Sequence, residues 1–364
     1  MKKMIALLLS LFAVQTALAE LPAVTEKLDL EAAKNFAVDR LEGGYSLITV
    51  QNGGRFLLIP AGMDAPDGLD ADIMLLYMPL DNLFVASTST VALMDEIGAL
   101  SAVTQTTYDV EDWYLPSVKQ AVQDGQIAYI GHYKQPDFER IALNPPKLAV
   151  FSTMIEGTPD VREKLDELGI PLLVDSSALE ETPLGRMEWM KLYGVLLDRV
   201  DEAEAAFEKQ AAIVRDLEGF ENTGKTVAFF FINSEGSVVV RASSDYVPKM
   251  IELAGGRYIF DSLGDEDDAT STMSMQMEEF YAGAKDADIL IYNSSIDGGV
   301  TTVDELIGKC NILKDFKAVQ EGQVYCTTND MYQQSMAIGY LLQDMHTVLT
   351  DDDTAKLRYL FLLQ

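Results

Sequence analysis

The sequence predicts an α/β protein made of two lobes joined by one long α-helix. Three observations lead there. Apolar runs short enough to be buried strands alternate with helical patterns, as they do in largely parallel sheets. The alternation comes in two sets, and between them residues 201–219 hold Ala203, Ala206, Phe207, Ile213, Val214 and Leu217 at helical spacing, with charges on the remaining faces. The chain of 364 residues is also too long for one ordinary core. The predicted division is a leader over 1–19, an N-terminal lobe over 20–199, a connecting helix over 200–219 and a C-terminal lobe over 220–364.

The leader has a basic start at Lys2 and Lys3, an apolar run, and the small-x-small sequence Ala17-Leu18-Ala19, the pattern of a secretory signal cut after Ala19. It is too short to be a membrane span. No cysteine lies near the cut, so the mature chain is expected in the periplasm of a two-membrane cell, without a lipid anchor. Residues 35–60 then read as antiparallel strands broken by Gly-Gly and Asn-Gly-Gly turns. Strand patterns follow at 73–78, 83–87, 128–131, 148–152 and 171–176, with helical patterns such as 89–100 and 158–169 between them. The connecting helix, about 28 Å long, stops at Gly219. The second set has strands at 225–233, 237–243, 286–295 and 322–328, a helix over 245–256 ending in Gly255-Gly256, and a C-terminal helix over 335–349. The segments 136–155 and 276–296 echo each other: an acidic residue on a short helix, a turn, a buried strand, then small polar residues.

The formal net charge of −31 becomes −33 once the two leader lysines are removed. Such acidity repels nucleic acid and anionic lipid, and excludes both as partners. The two cysteines, Cys310 and Cys326, allow either a disulfide worth about 3 kcal/mol on the chain-entropy estimate or two buried thiols. Two histidines, His132 and His346, are too few for a histidine-rich zinc or manganese receptor, and His346 falls in the C-terminal helix as a core or surface residue. There is no G-x-S-x-G elbow, and the sixteen methionines outline no copper site. No catalytic residue, metal or cofactor is expected.

The stretch 175–194, DSSALEETPLGRMEWMKLYG, follows a strand pattern. Thr182 is placed to cap a helix with Pro183 at its first position. Arg186 then lies in or next to the first turn, where the helix dipole disfavours a cation. Either it pairs with Glu180, Glu181 or Glu188 as a surface ion pair, or it reaches into a cleft at the strand end, where open α/β sheets bind ligands.

Four motifs in order favour the cleft. GHYKQPDFERIALNPPKLAVFS, ETPLGRMEWMKLYGVLL, SDYVPKMIELAGG and SMQMEEFYAGAKDADILIY resemble segments of the substrate-binding proteins of ABC importers for iron-siderophore complexes, haem and cobalamin. Thr182 stands where that family often has histidine, and the resemblance covers roughly residues 40–345. It implies a class III periplasmic binding protein: two Rossmann-like lobes on a single long helix, a ligand in the cleft between them, and one glutamate per lobe docking on the permease. By motif position these are Glu139 and Glu278, with Glu279 the second choice. Arg186 and, from the other lobe, Arg241 are expected to grip carboxylates, phenolates or propionates. Trp113, Tyr133, Met154, Tyr246 and Tyr332 are candidate aromatic and thioether walls, Trp113 foremost because it stands among acids. Asn293 and Ser294 are candidate hydrogen-bond donors. The expected partners are the permease of an ABC importer and an iron-chelate or tetrapyrrole ligand, with the protein a monomer. The competing readings are an exported hydrolase-like enzyme using His132, and a receptor for a bare metal ion or oxyanion.

Overall fold

Five strands, β1 (Val24–Lys27), β2 (Phe36–Leu41), β3 (Ser46–Val50), β4 (Gly54–Ile59) and β5 (Ile73–Tyr77), lie side by side in chain order. The computed structural model describes residues 21–264, 271–294, 299–331, 333, 337–350 and 356–364, so the leader lies outside the described residues. The glycine turns reverse the chain as their sequence predicts, and β2, β3 and β4 pair antiparallel. β5 pairs parallel with β4, so the apolar run at 73–78 closes this first sheet and does not join the next one. One face of the sheet, with Phe36, Val38, Ile48 and Phe56, joins the main core, and the other carries a small cluster of its own around Tyr45 and Leu57.

The second sheet is wholly parallel. Its strands are β6 (Leu83–Ala86), β7 (Val103–Thr106), β8 (Ala128–Tyr129), β9 (Leu148–Ser152) and β10 (Leu172–Asp175), in the order β10-β9-β6-β7-β8. Helices α1 (Thr88–Glu96), α2 (Pro116–Gln123), α3 (Phe138–Leu143) and α4 (Pro159–Glu167) connect them. After α5 (Pro183–Leu196) and α6 (Val200–Leu217) comes the third sheet. It contains β11 (Thr226–Ile232), β12 (Val238–Arg241), β13 (Arg257–Tyr258), β14 (Thr272–Met275), β15 (Ile289–Tyr292), β16 (Val324–Thr327) and β17 (Leu360–Leu362). Around β11, β15 and β16, which run parallel, the order is β14-β12-β11-β15-β16-β17. Helices α7 (Tyr246–Leu253), α8 (Met277–Ala284), α9 (Val303–Lys309), α10 (Lys317–Gln320) and α11 (Ile338–Thr350) complete this half.

The long helix is α6, and it is embedded rather than bare. It lies between α5 and α11, with Ala203, Phe207, Gln210, Ala211 and Val214 buried. Two glycines allow this close approach. A Cβ on Gly194 of α5 would sit 2.6 Å from the Cβ of Ala203, and one on Gly339 of α11 would sit 2.6 Å from Oε1 of Gln210. One contiguous apolar cluster therefore runs from Val85 and Val150, through Trp189, Phe207 and Val214, to Phe229 and Leu342 in the other half.

The acids of the 175–194 stretch have a different purpose from pairing with Arg186. Thr182 caps α5 by accepting from the Gly185 amide at 3.0 Å. Glu188, fully buried, accepts the backbone N–H groups of Glu31, Ala32 and Ala33 at 2.7–2.8 Å. Glu180, also buried, accepts those of Lys34 and Asn35 together with the Trp189 indole N–H. Two carboxylates thus hold five consecutive amides. Burial alone would lower the Lys191 ammonium, but Glu188 at 3.0 Å and Glu204 outweigh it and raise it, so the lysine stays charged beside Glu188. Asp175 at the end of β10 is likewise satisfied, by Thr90, Tyr193 and the Ser177 amide. Only Glu181 makes a surface ion pair, and its partner is Lys34.

Two outcomes are expected. Glu188→Gln sets an amide against three N–H donors and should lower stability by about 3 kcal/mol or more, seen as a falling denaturation midpoint, while Glu181→Gln leaves that midpoint in place. Gly194→Ala forces α5 from α6 and should cost about 1–3 kcal/mol; equal midpoints for it and the wild type would contradict the slot.

Candidate functional site

In parallel sheets the loops after the strands collect at one end, and here they enclose a cavity of about 460 Å³. Thr88 comes to it from the β6 end, and Thr107 and Tyr108 from the β7 end. Glu111, Asp112 and Tyr114 come from the turn after β7, and Tyr129, His132 and Tyr133 from the end of β8. The opposite wall belongs to the C-terminal half, where Asn329 and Gln333 follow β16. Gln333 is buried and spans the gap: its Nε2 donates to the Asp112 carbonyl at 2.6 Å, and its Oε1 accepts the Tyr114 amide at 2.9 Å. Asn329 also lines a second cavity of about 700 Å³, bordered by Ser294, Glu305, Lys309, Thr327 and Phe361.

Burial, with Tyr133 and Asp112 close by, pushes the Tyr108 phenol up, which keeps it neutral. The Thr107 hydroxyl is buried and has no hydrogen-bond partner among the described residues, an arrangement that costs free energy unless something else completes it. His132 is exposed, lies 4.6 Å from the Tyr133 ring, and accepts the Lys134 amide at Nδ1.

The residues expected from sequence are dispersed. Tyr133 lines the first cavity and Ser294 the second. Trp113 differs from its expectation. Glu111, Asp112 and Tyr114 take the exposed side of the turn, and the indole goes inward, 1 % exposed, edge-on to Tyr108 at 5.6 Å. It backs the wall instead of forming it. Arg186 and Arg241 line neither cavity. The Arg186 guanidinium reaches the other half and lies 4.4 Å over the ring of Tyr246, while Arg241, buried, lies 3.5 Å from Asp245 within its own half. Burial raises the Asp245 carboxyl, against the opposing pull of Arg241, the Val247 amide and Arg186. Asn293 is buried and donates its amide to Phe230. Ser294 is tied to Thr327. Met154 is exposed and lines neither cavity, and Tyr332 lies outside the described residues.

Glu139 and Glu278 stand exposed in the first turns of α3 and α8, one per half. Cys310 and Cys326 form no disulfide, and His346 is a structural residue, 2.9 Å from the Ala254 carbonyl. Sequence reasoning missed Tyr108, Tyr114, Tyr129, Glu111, Asp112 and Gln333, and read His132 only as a possible base. The usable signal was positional: all of them follow strands, although β7 itself has a polar sequence.

A family model described as periplasmic binding protein matches residues 84–331, so the first sheet precedes the matched span. An uncharacterized lipoprotein of Methanocaldococcus jannaschii is 27% identical over 318 residues, 84% of this chain and 74% of that one. A periplasmic haem-binding protein of Vibrio cholerae superposes with a TM-score of 0.59 at 18% identity, over 74% of this chain and 99% of that one. A petrobactin-binding protein of Bacillus subtilis does so with a TM-score of 0.57 at 14% identity, over 74% and 92%. These structures share the two-lobed fold. With the family match covering most of its length, this chain belongs to the periplasmic binding protein family and is a substrate-binding protein, not an enzyme.

Proposed function

We propose that this chain captures an iron complex (a siderophore or haem) or cobalamin outside the cytoplasmic membrane and hands it to the permease of an ABC importer. The observation that carries the reading is the cavity between the halves, walled by four tyrosines and bridged by Gln333. Flat or rounded, partly apolar chelates need such walls. Neighbours of the same fold are named for haem and petrobactin, which supports the class. A receptor for a bare metal ion has less support, since no group of three or more His, Cys, Asp or Glu side chains converges among the described residues. We take the lobes as 20–199 and 220–364 with the helix of 200–219 between them, release after Ala19 without an anchor, and a monomer. Glu139 and Glu278, exposed on separate halves, are the proposed docking carboxylates for permease arginines.

Titration with haem, cobalamin and ferric siderophores should stabilise the protein and quench Trp113, whose indole lies directly behind Tyr108. Trp113→Phe should keep the stabilisation and lose most of the quench. No response to any of these ligands would end the proposal. Because α6 is wedged between two helices, the scattering radius should stay unchanged on binding. The double variant Glu139→Lys, Glu278→Lys should bind as the wild type does yet fail to support uptake in cells; normal uptake would remove the docking assignment.

A further inference from the structure

The cleft has a sign as well as a shape. Among its described lining residues are two carboxylates, Glu111 and Asp112, and no lysine or arginine. Three cations touch lining residues without lining the cavity themselves: Lys119 lies 3.5 Å from Glu111, Lys134 lies 5.7 Å over the Tyr133 ring, and Arg140 donates to the Tyr129 carbonyl at 2.8 Å. The segments 265–270, 295–298, 334–336 and 351–355, with Tyr332, lie outside the described residues and contain no lysine or arginine in their sequence. The adjoining cavity holds one charge of each kind, Glu305 and Lys309, and the Glu305 carboxylate is taken up by the Thr301 and Thr302 amides. Arg186, over the Tyr246 ring, and Arg241, beside Asp245, line neither cavity.

An anionic ligand would lose its water against carboxylates and neutral phenols, an unfavourable exchange. A cation gains twice, from the ring faces of tyrosine and from the nearby carboxylates. The surrounding chain, at a formal −31, draws cations toward it. The Thr107 hydroxyl, buried in the wall, has no hydrogen-bond partner among the described residues.

We infer that the ligand carries a positive charge into this cleft: a cationic chelate whose ammonium group sits among Tyr108, Tyr129 and Tyr133 beside Glu111 and Asp112. This rests on the binding reading above and sharpens it.

The test is a titration of the mature protein with a matched set of ferric chelates. One is a linear ferric trihydroxamate ending in a free ammonium, the second is its N-acetylated neutral twin, and the third is a trianionic ferric tricatecholate. The cationic form should bind about tenfold more tightly than its twin, and the margin should shrink as salt is added. Glu111→Gln, at an exposed position, should erase most of the margin without moving the denaturation midpoint. Equal or tighter binding of the neutral or anionic chelate overturns the charge inference and leaves the importer reading intact. Binding of a simple quaternary ammonium ligand, with every ferric chelate rejected, upholds the charge inference and overturns the chelate reading. No binding by any probe overturns both.

Discussion

The constraint on which the rest of this molecule depends is the capture of five consecutive amides, residues 31–35, by the buried carboxylates of Glu188 and Glu180. A carboxylate taken from water is tolerated only if its lone pairs are filled. Here main-chain donors, the Trp189 indole and the Lys191 ammonium fill them. The arrangement fixes the chain just before β2 onto α5, and so fixes where the first sheet lies on the second. Because Glu180 precedes α5 and Glu188 lies within it, the same contacts also orient the helix that presents Arg186 to Tyr246.

From α5 the order passes to α6 through a glycine contact, and from α6 to α11 through another. Apolar side chains on both sides of this three-helix layer belong to one cluster. Interiors packed in this way resist sliding. The two halves are thereby joined through one packed layer. Gln333, five residues before α11, adds a polar link at the mouth.

Much of this was legible in the sequence because burial imposes periodicity. The strands at 148–152 and 226–232 are runs of apolar residues with no competing reading, and α6 was set by helical spacing and its glycine stop. What escaped had a physical reason. β7 is Val-Thr-Gln-Thr, and β14 is Thr-Met-Ser-Met; polar strands leave no apolar run to find. The motif that carries Arg186 was located, but its glutamates were weighed only as possible surface partners, since nothing in a linear sequence says that a carboxylate will be buried against a backbone more than 140 positions away. Trp113 shows the converse. Acidic neighbours suggested exposure, yet in a tight turn adjacent residues face opposite ways, and the indole took the inner side. The cavity itself was visible only as a rule about strand ends, because its tyrosines come from separate loops.

The bridge made by Gln333 ends on a carbonyl and an amide, groups that every residue type except proline supplies in full. Closure of the mouth is thereby insulated from the identity of the side chains at 112 and 114. The acids and tyrosines of that loop can therefore be exchanged without rebuilding the link that joins the two walls.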